Sequence, residues 1–173
     1  MTVEKINPDR HSEVLRLINT FETNPAFVYD RHMTVLFANS LASVVAPGFA
    51  AGSNLAQFTF LPDLIDVKAD DWFAKRDQVA GVLRDLLSRH FEDNEYLDLV
   101  GQLAAVSPDF ASAWASQPAS QISGDFLFSH ATTGEYRLEF HLFPLGDDQG
   151  DTLAVWNAFD PNASNALRVL SKL

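Results

Sequence analysis

The chain has 173 residues, 47% hydrophobic and 20% charged, with 14 Phe, no cysteine and a formal net charge of -11. A chain of this size buries about 70% of its unfolded surface in one core, so a single domain over 1–173 is expected and disorder is excluded as the main state. The missing cysteines rule out disulfides, thiolate metal sites and a cysteine nucleophile, and the acidic balance argues against a chain that itself coats nucleic acid or anionic lipid.

No apolar run approaches the ~20 residues needed to span a bilayer, and the first residues lack the apolar stretch of a signal peptide. In chain order, residues 9–21 read as a helix with Val14, Leu15, Leu17, Ile18 and Phe21 on one side, stopped by Asn24-Pro25. Two β-like runs follow, Ala26–Asp30 and Met33–Ala38, joined by a polar turn as a hairpin. Asn39 or Ser40 caps a short helix through Val45 that Pro47-Gly48 ends, and Asn54–Phe60 is another short helix.

The long helix begins near Ala69-Asp70-Asp71, with two carboxylates at its N-terminus, and runs to about Phe91. At ~100° per residue its apolar side collects Trp72, Val79, Ala80, Leu83, Leu86 and Leu87, with Lys75, Asp77, Asp85, Ser88 and Arg89 opposite. Arg76 and His90 break the pattern by falling in the apolar stripe. Either Arg76 is held by an internal carboxylate or reaches water, or its guanidinium anchors the carboxylate of an apolar ligand. Arg84, at the stripe's edge, reads as structural. Helices over Glu95–Val106 and from Ser107-Pro108-Asp109 to about Ser116 complete this block.

Period 2 then returns. Ile122–His130 sets Phe126 and Phe128 against Asp125 and Ser129, and Tyr136, Leu138, Phe140 and Leu142 alternate with Glu135, Arg137, Glu139 and His141. The face bearing Leu138 and Phe140 is taken as inward. A loop over 146–150, a strand over Thr152–Phe159 and a helix over about 162–172 close the chain. The fold class is therefore α+β: a five-stranded antiparallel sheet with a helical block on one face, the arrangement of PAS-type sensor domains.

Catalytic signals are thin. No phosphate loop, HExxH, GxSxG or SxxK motif is present. His130 and His141 lie on neighbouring strands, but if His130 pairs with Glu135, His141 falls opposite Gly124, ~20 Å away along the strand. They share no ion, and no metal site is expected. The aromatic residues Phe27, Tyr29, Phe37, Phe58, Phe60, Trp72, Trp114, Phe126, Phe128, Tyr136, Phe140 and Trp156 either fill a core or together line a cavity.

Read together, these segments resemble the ligand-binding domain of MmyB-like transcription regulators. The resemblance rests on Asn24-Pro25-Ala26-Phe27-Val28-Tyr29-Asp30-Arg31, Val35-Leu36-Phe37-Ala38-Asn39, Pro47-Gly48, Asn54-Leu55 and Asp71-Trp72 with Leu83-Arg84. It continues through Leu99-Val100-Gly101-Gln102-Leu103, Ser107-Pro108-Asp109-Phe110, Trp114, Phe128-Ser129-His130, Gly134-Glu135, Leu138 and Leu153–Trp156. It implies a PAS-like fold with an apolar pocket that accommodates a fatty acid. Two departures stand out: the aromatic is displaced in Phe37-Ala38-Asn39, and Arg76 replaces a small residue. No helix-turn-helix precedes residue 15, so the chain is expected to be an excised sensor or a stand-alone relative.

The expected function is non-enzymatic sensing of a small apolar or amphipathic ligand, with no cofactor beyond a bound fatty acid. Pocket candidates are Phe27, Tyr29, Phe37, Trp72, Val79, Leu83, Leu86, Trp114, Phe126, Phe128, Leu138, Phe140 and Trp156, with Arg76, Asn39 and His90 as polar candidates. DNA is expected to be reached only through an attached or separate helix-turn-helix domain; a cytoplasmic location and a homodimer fit this role. The alternatives are a small α+β enzyme using a buried His or Asp as general base, and a filled-core partner-binding module.

Overall fold

A computed structural model describes residues 8–61, 71–146 and 150–173, with side chains from residue 12 onward. Ala69 and Asp70, at the expected helix start, and Asp147-Asp148-Gln149 of the expected loop lie outside the described residues. The elements run α1 (Pro8–Asn19), β1 (Ala26–Tyr29), β2 (Val35–Ala38), α2 (Ser40–Val45), a 3-10 turn (Pro47–Phe49), α3 (Leu55–Phe60) and α4 (Trp72–Arg89). Then come α5 (Asn94–Val106), α6 (Pro108–Ser116), β3 (Ser123–His130), β4 (Gly134–Pro144), β5 (Thr152–Ala158) and α7 (Pro161–Leu170).

The five strands form one antiparallel sheet in the order β2-β1-β5-β4-β3, so the last strand lies at its centre. This is the expected PAS-like α+β arrangement. Apolar side chains on the inner face of the sheet pack with α2–α7 into the main core, whose members include Phe27, Tyr29, Leu83, Leu138, Phe140, Trp156 and Leu167. A second, smaller cluster lies on the back of the sheet: Ile18 of α1 packs with Val28, Phe37, Leu153 and Val155. Helices thus cover one face as a block, and α1 covers part of the other.

One register differs from expectation, and the first hairpin carries a bulge. β3 and β4 pair His130 with Gly134 and Phe126 with Leu138, so His141 faces Ser123 rather than Gly124. The observed pairing is the one that keeps Phe126 and Leu138 on a single face, because directly opposed residues in an antiparallel pair point the same way. Gly134 makes the turn at φ 72°, a conformation suited to a residue without a Cβ. In the first hairpin Tyr29 pairs with Val35 but Val28 pairs with Phe37, leaving Leu36 as an extra residue. That bulge reverses the alternation and sends Phe37 to the back of the sheet.

Capping follows the sequence closely. Asn39 caps α2, Asn54 caps α3, Ser107 caps α6 ahead of Pro108, and Asp160 caps α7. Asp71 stands at the N-cap of α4 but makes no capping bond there; its carboxylate accepts from the N–H of Leu127 on β3.

Candidate functional site

The inner face of the sheet carries a connected array of rings. The Trp156 indole stacks on Phe49 at 5.3 Å between centroids, meets Phe140 at 5.4 Å and receives the edge of Phe128 at 5.2 Å. Phe126 stacks on Phe140 at 5.3 Å, Phe128 lies parallel to Tyr136 at 6.2 Å, and Phe27 touches Phe49 at 4.5 Å. These contacts arise because β1, β3, β4 and β5 each place alternate residues inward, and Gly124 leaves room for Phe140. A Cβ at Gly124 would stand 2.9 Å from that ring.

Among the predicted site residues, Phe27, Tyr29, Phe126, Phe128, Leu138, Phe140 and Trp156 share this face, and Val79, Leu83 and Leu86 of α4 belong to the same core. Trp114 sits apart. It stacks on Phe110 at 5.3 Å, Phe110 meets Phe60 at 5.0 Å, and the Arg84 guanidinium lies 4.5 Å over the Trp114 ring. Arg84 also donates to the Trp114 carbonyl, which fits its structural reading. Trp72 is buried at the start of α4, and among the described residues no ring stacks on it.

Four more predicted members do not join the array as expected. Phe37 is on the back face, sent there by the bulge. Asn39 has no capacity left for a ligand. Its Oδ1 accepts from the N–H groups of Ala42 (2.9 Å) and Ala26 (3.2 Å), and its Nδ2 donates to the carbonyls of Phe21 (2.9 Å) and Asn24 (2.8 Å). Arg76 is engaged by carboxylates: Asp77 at 3.0 Å and Asp109 of α6 at 3.9 Å. Its guanidinium also lies 5.0 Å over Phe73, an exposed ring. His90 ends α4, beside the β4–β5 loop, where a Cβ at Gly150 would stand 3.3 Å from its Nε2.

Lys75, assigned to the polar side of the helix, proves to face the rings. Its ammonium lies 4.7 Å from the Phe128 centroid and 5.9 Å from that of Phe126, and it donates to the Leu127 carbonyl. Burial lowers its pKa, with Asp71 opposing the shift and Arg137 adding to it. Asp71 also pairs with Arg137 at 3.2 Å, and Arg137 in turn holds Asp125. Phe49 is likewise outside the predicted set, and Tyr136, named among the aromatic residues, is outside the narrower set of pocket candidates. Tyr136 shares the parity of Leu138 and Phe140, which places it on their face; a three-residue turn offers no such signal for Phe49.

Two polar atoms of the array stand out. The Tyr136 hydroxyl and the Trp156 indole N–H are buried and find no hydrogen-bond partner among the described residues. The Tyr136 hydroxyl is pushed up to about 12 by burial, so it stays protonated. On the opposite side of the sheet, a groove of about 400 Å³ is lined by Phe21, His141, Phe143, Leu153, Val155 and Asn157. Among the described residues no group of three or more His, Asp or Glu is placed to hold a metal ion. None of their helices is long and apolar enough to cross a membrane.

No curated protein matches the chain. Among solved structures, the PAS domain of Bordetella pertussis BvgS is similar at 15% identity and TM-score 0.40, with 95% of this chain and 96% of that one covered. The PAS domain of an HTR-like protein from Haloarcula marismortui is similar at 13% identity and TM-score 0.35, with 88% and 100% covered. The model of the MmyB-like transcription regulator ligand binding domain matches residues 11–173, essentially the whole chain. With that match joined to the sheet order and the ring-lined inner face, the chain belongs to the family of MmyB-like transcription regulator ligand binding domains.

Proposed function

We propose that this domain is a non-enzymatic sensor that takes an amphipathic ligand, a fatty acid foremost, between the inner face of the sheet and the helical block. The carrying observation is the ring array from Phe27 to Trp156, an apolar surface under helices in a family of ligand-binding domains. β5 gives the route by which occupancy is read. Its Ala154 and Trp156 point to the inner core while Leu153 and Val155 pack with Ile18 of α1 on the back, so a ligand that shifts β5 biases the seat of α1. An attached or separate helix-turn-helix domain in the cytoplasm, or a homodimer contact, reads that bias.

Native mass spectrometry of the purified chain, with lipid extraction, tests this reading. A fluorescent fatty acid should bind at micromolar affinity or better and be displaced by natural chains. Recovery of chemically altered ligand after incubation would favour an enzyme instead. A second reading, a filled-core partner-binding module, is favoured by the mutual contact of the rings at 4.5–6.3 Å. Failure to retain or bind any lipid would select it.

A further inference from the structure

We infer that the back of the sheet over β5 and β4 is a docking surface for a helix of a partner protein, apolar on one side and rich in lysine and arginine on the other. Leu153, Val155 and Phe143 supply the apolar contact, and Glu139 with Asp125 supplies the charge that selects the partner. The surface lies across the sheet from the ring array, and what the inner face binds has no bearing on it.

α1 covers only part of this face. Its Ile18 packs with Val28, Phe37, Leu153 and Val155, and Val14, Leu15 and Phe21 lie alongside. At Phe21 the groove of about 400 Å³ opens, with Leu153 and Val155 in its lining and Phe143, 51% exposed, in its wall. Neighbouring strands lie ~4.8 Å apart, so β5 and β4 together present a floor about one helix wide. A sheet face offers side chains and no free backbone groups, so an occupant is held here as α1 is held. A second helix beside α1, at the usual ~8–10 Å between axes, continues its layer.

Charge selects what that helix carries. Asp125 and Glu139 stand directly opposite each other in the β3–β4 pair, and like charges so placed are unfavourable on their own. Arg137 answers Asp125 and is shared with Asp71 at 3.2 Å. Among the described residues no lysine or arginine pairs with Glu139; its neighbour is the His141 ring at 3.5 Å, part of the groove lining. Glu139 is 45% exposed, so a long cationic side chain lying over the groove can reach it. A second copy of this chain is the poorer occupant. A two-fold contact would lay the face on itself and bring its carboxylates together, between molecules that each carry a net charge of -11. A basic helix gains from the field of the whole chain and from the opposed carboxylates. Domains that bind nucleic acid present such helices, so the surface fits the reader of occupancy proposed above.

The probe is a fluorescein-labelled leucine–lysine peptide of about 14 residues (~21 Å as a helix), with its leucines at helical spacing, titrated against the full chain by anisotropy. The same composition in scrambled order and a leucine–glutamate analogue are the controls. The helical lysine peptide should bind at least ~10-fold more tightly than the scrambled one, and the glutamate analogue should not bind. Phe143→Ser should weaken the helical peptide at least ~5-fold, and Glu139→Gln at least ~3-fold with a shallower salt dependence. Glu95→Gln, on α5 across the sheet and 84% exposed, should change affinity less than ~1.5-fold. Both groove side chains are largely solvent-facing, so circular dichroism and urea midpoints of the variants should match wild type. No binding of the helical peptide, equal binding of the scrambled one, or affinity unchanged in both Phe143→Ser and Glu139→Gln would overturn the assignment. So would sedimentation velocity showing a wild-type dimer that Phe143→Ser dissociates, because a second copy would then cover the face.

Discussion

Replacing Asn39 tests the claim that it is a structural joint and not a ligand contact. The side chain is 7% exposed and makes four hydrogen bonds that tie α2 to the start of β1 and to the segment after α1. Asn39→Ala removes the cap of α2, a loss of about 1 kcal/mol. It also strands the Ala26 N–H and the carbonyls of Phe21 and Asn24, at roughly 0.5–1.5 kcal/mol each where water reaches them and more where it does not. The sum is about 3–5 kcal/mol. At ~2–4 °C per kcal/mol for a chain of this size, the melting temperature should drop by roughly 6–20 °C. Asn39→Ser keeps the cap alone and should recover about 1 kcal/mol. Asn39→Asp keeps both accepted bonds but turns an anion toward two carbonyl oxygens, so it should be no better than alanine. Urea denaturation followed by tryptophan fluorescence and far-ultraviolet circular dichroism would give these values. An alanine variant within about 0.5 kcal/mol of wild type would refute the joint.

The remaining predictions are briefer. Gly81→Ala should destabilise by about 1–2 kcal/mol despite the better helix propensity of alanine, because its Cβ would stand 2.8 Å from the Ser120 nitrogen and 3.0 Å from Pro118 O; a more stable variant in urea would contradict this. Arg76→Met should cost at most ~1 kcal/mol and leave hexadecanoate affinity within about twofold of wild type, since its partners Asp77 and Asp109 are exposed; a selective loss of acid binding would return Arg76 to the site. Burial acts to raise the Asp93 carboxyl, but the hydrogen bond and charge of His32, the Tyr96 N–H and Arg31 outweigh it and hold it low. Its stabilising contribution is thus present above the usual carboxylate value near ~4 and lost as pH falls through its depressed one. Asp93→Asn, which still caps α5, should lower stability at neutral pH, and the gap from wild type should close in acid; a gap independent of pH would oppose it. Finally, at net charge -11 this chain alone should not retard duplex DNA at physiological salt, as a gel-shift titration would show.

What could be read from sequence followed the local rules. Alternation in β3 and β4 placed Phe126, Phe128, Leu138 and Phe140 on one face, and the side-chain caps and Pro108 marked helix starts. Failures came where a distant or irregular partner decided. Val35-Leu36-Phe37-Ala38 is apolar throughout, so nothing in it betrays the bulge that turns Phe37 outward. Arg76 sits mid-stripe on the helical wheel, and of the readings open for it the internal carboxylates are what it meets, Asp77 beside it at 3.0 Å and Asp109 of α6 at 3.9 Å. Lys75 was misplaced by residue type: at ~100° per residue it lies about 20° from Leu86, and its long apolar stem lets it lie on the rings while the ammonium reaches the strand edge. Asp71 looked like a cap because carboxylates favour helix starts, but the β3 backbone offered it a donor.

That last contact has a further consequence. β3 is an outer strand of the sheet, and the free rim of such a strand is a template on which another chain can add a strand of its own. Here α4 occupies the rim with side chains. Asp71 and Lys75 take the N–H and carbonyl of Leu127, and just ahead of the strand Gln78 takes those of Gln121, its Oε1 accepting at 2.9 Å and its Nε2 donating at 2.7 Å. The helix therefore does for β3 what a sixth strand would do. Any displacement of α4 unzips this seal, so the same movement that would loosen the roof over the rings also bares a polymerisation-prone border, and the two events are mechanically one.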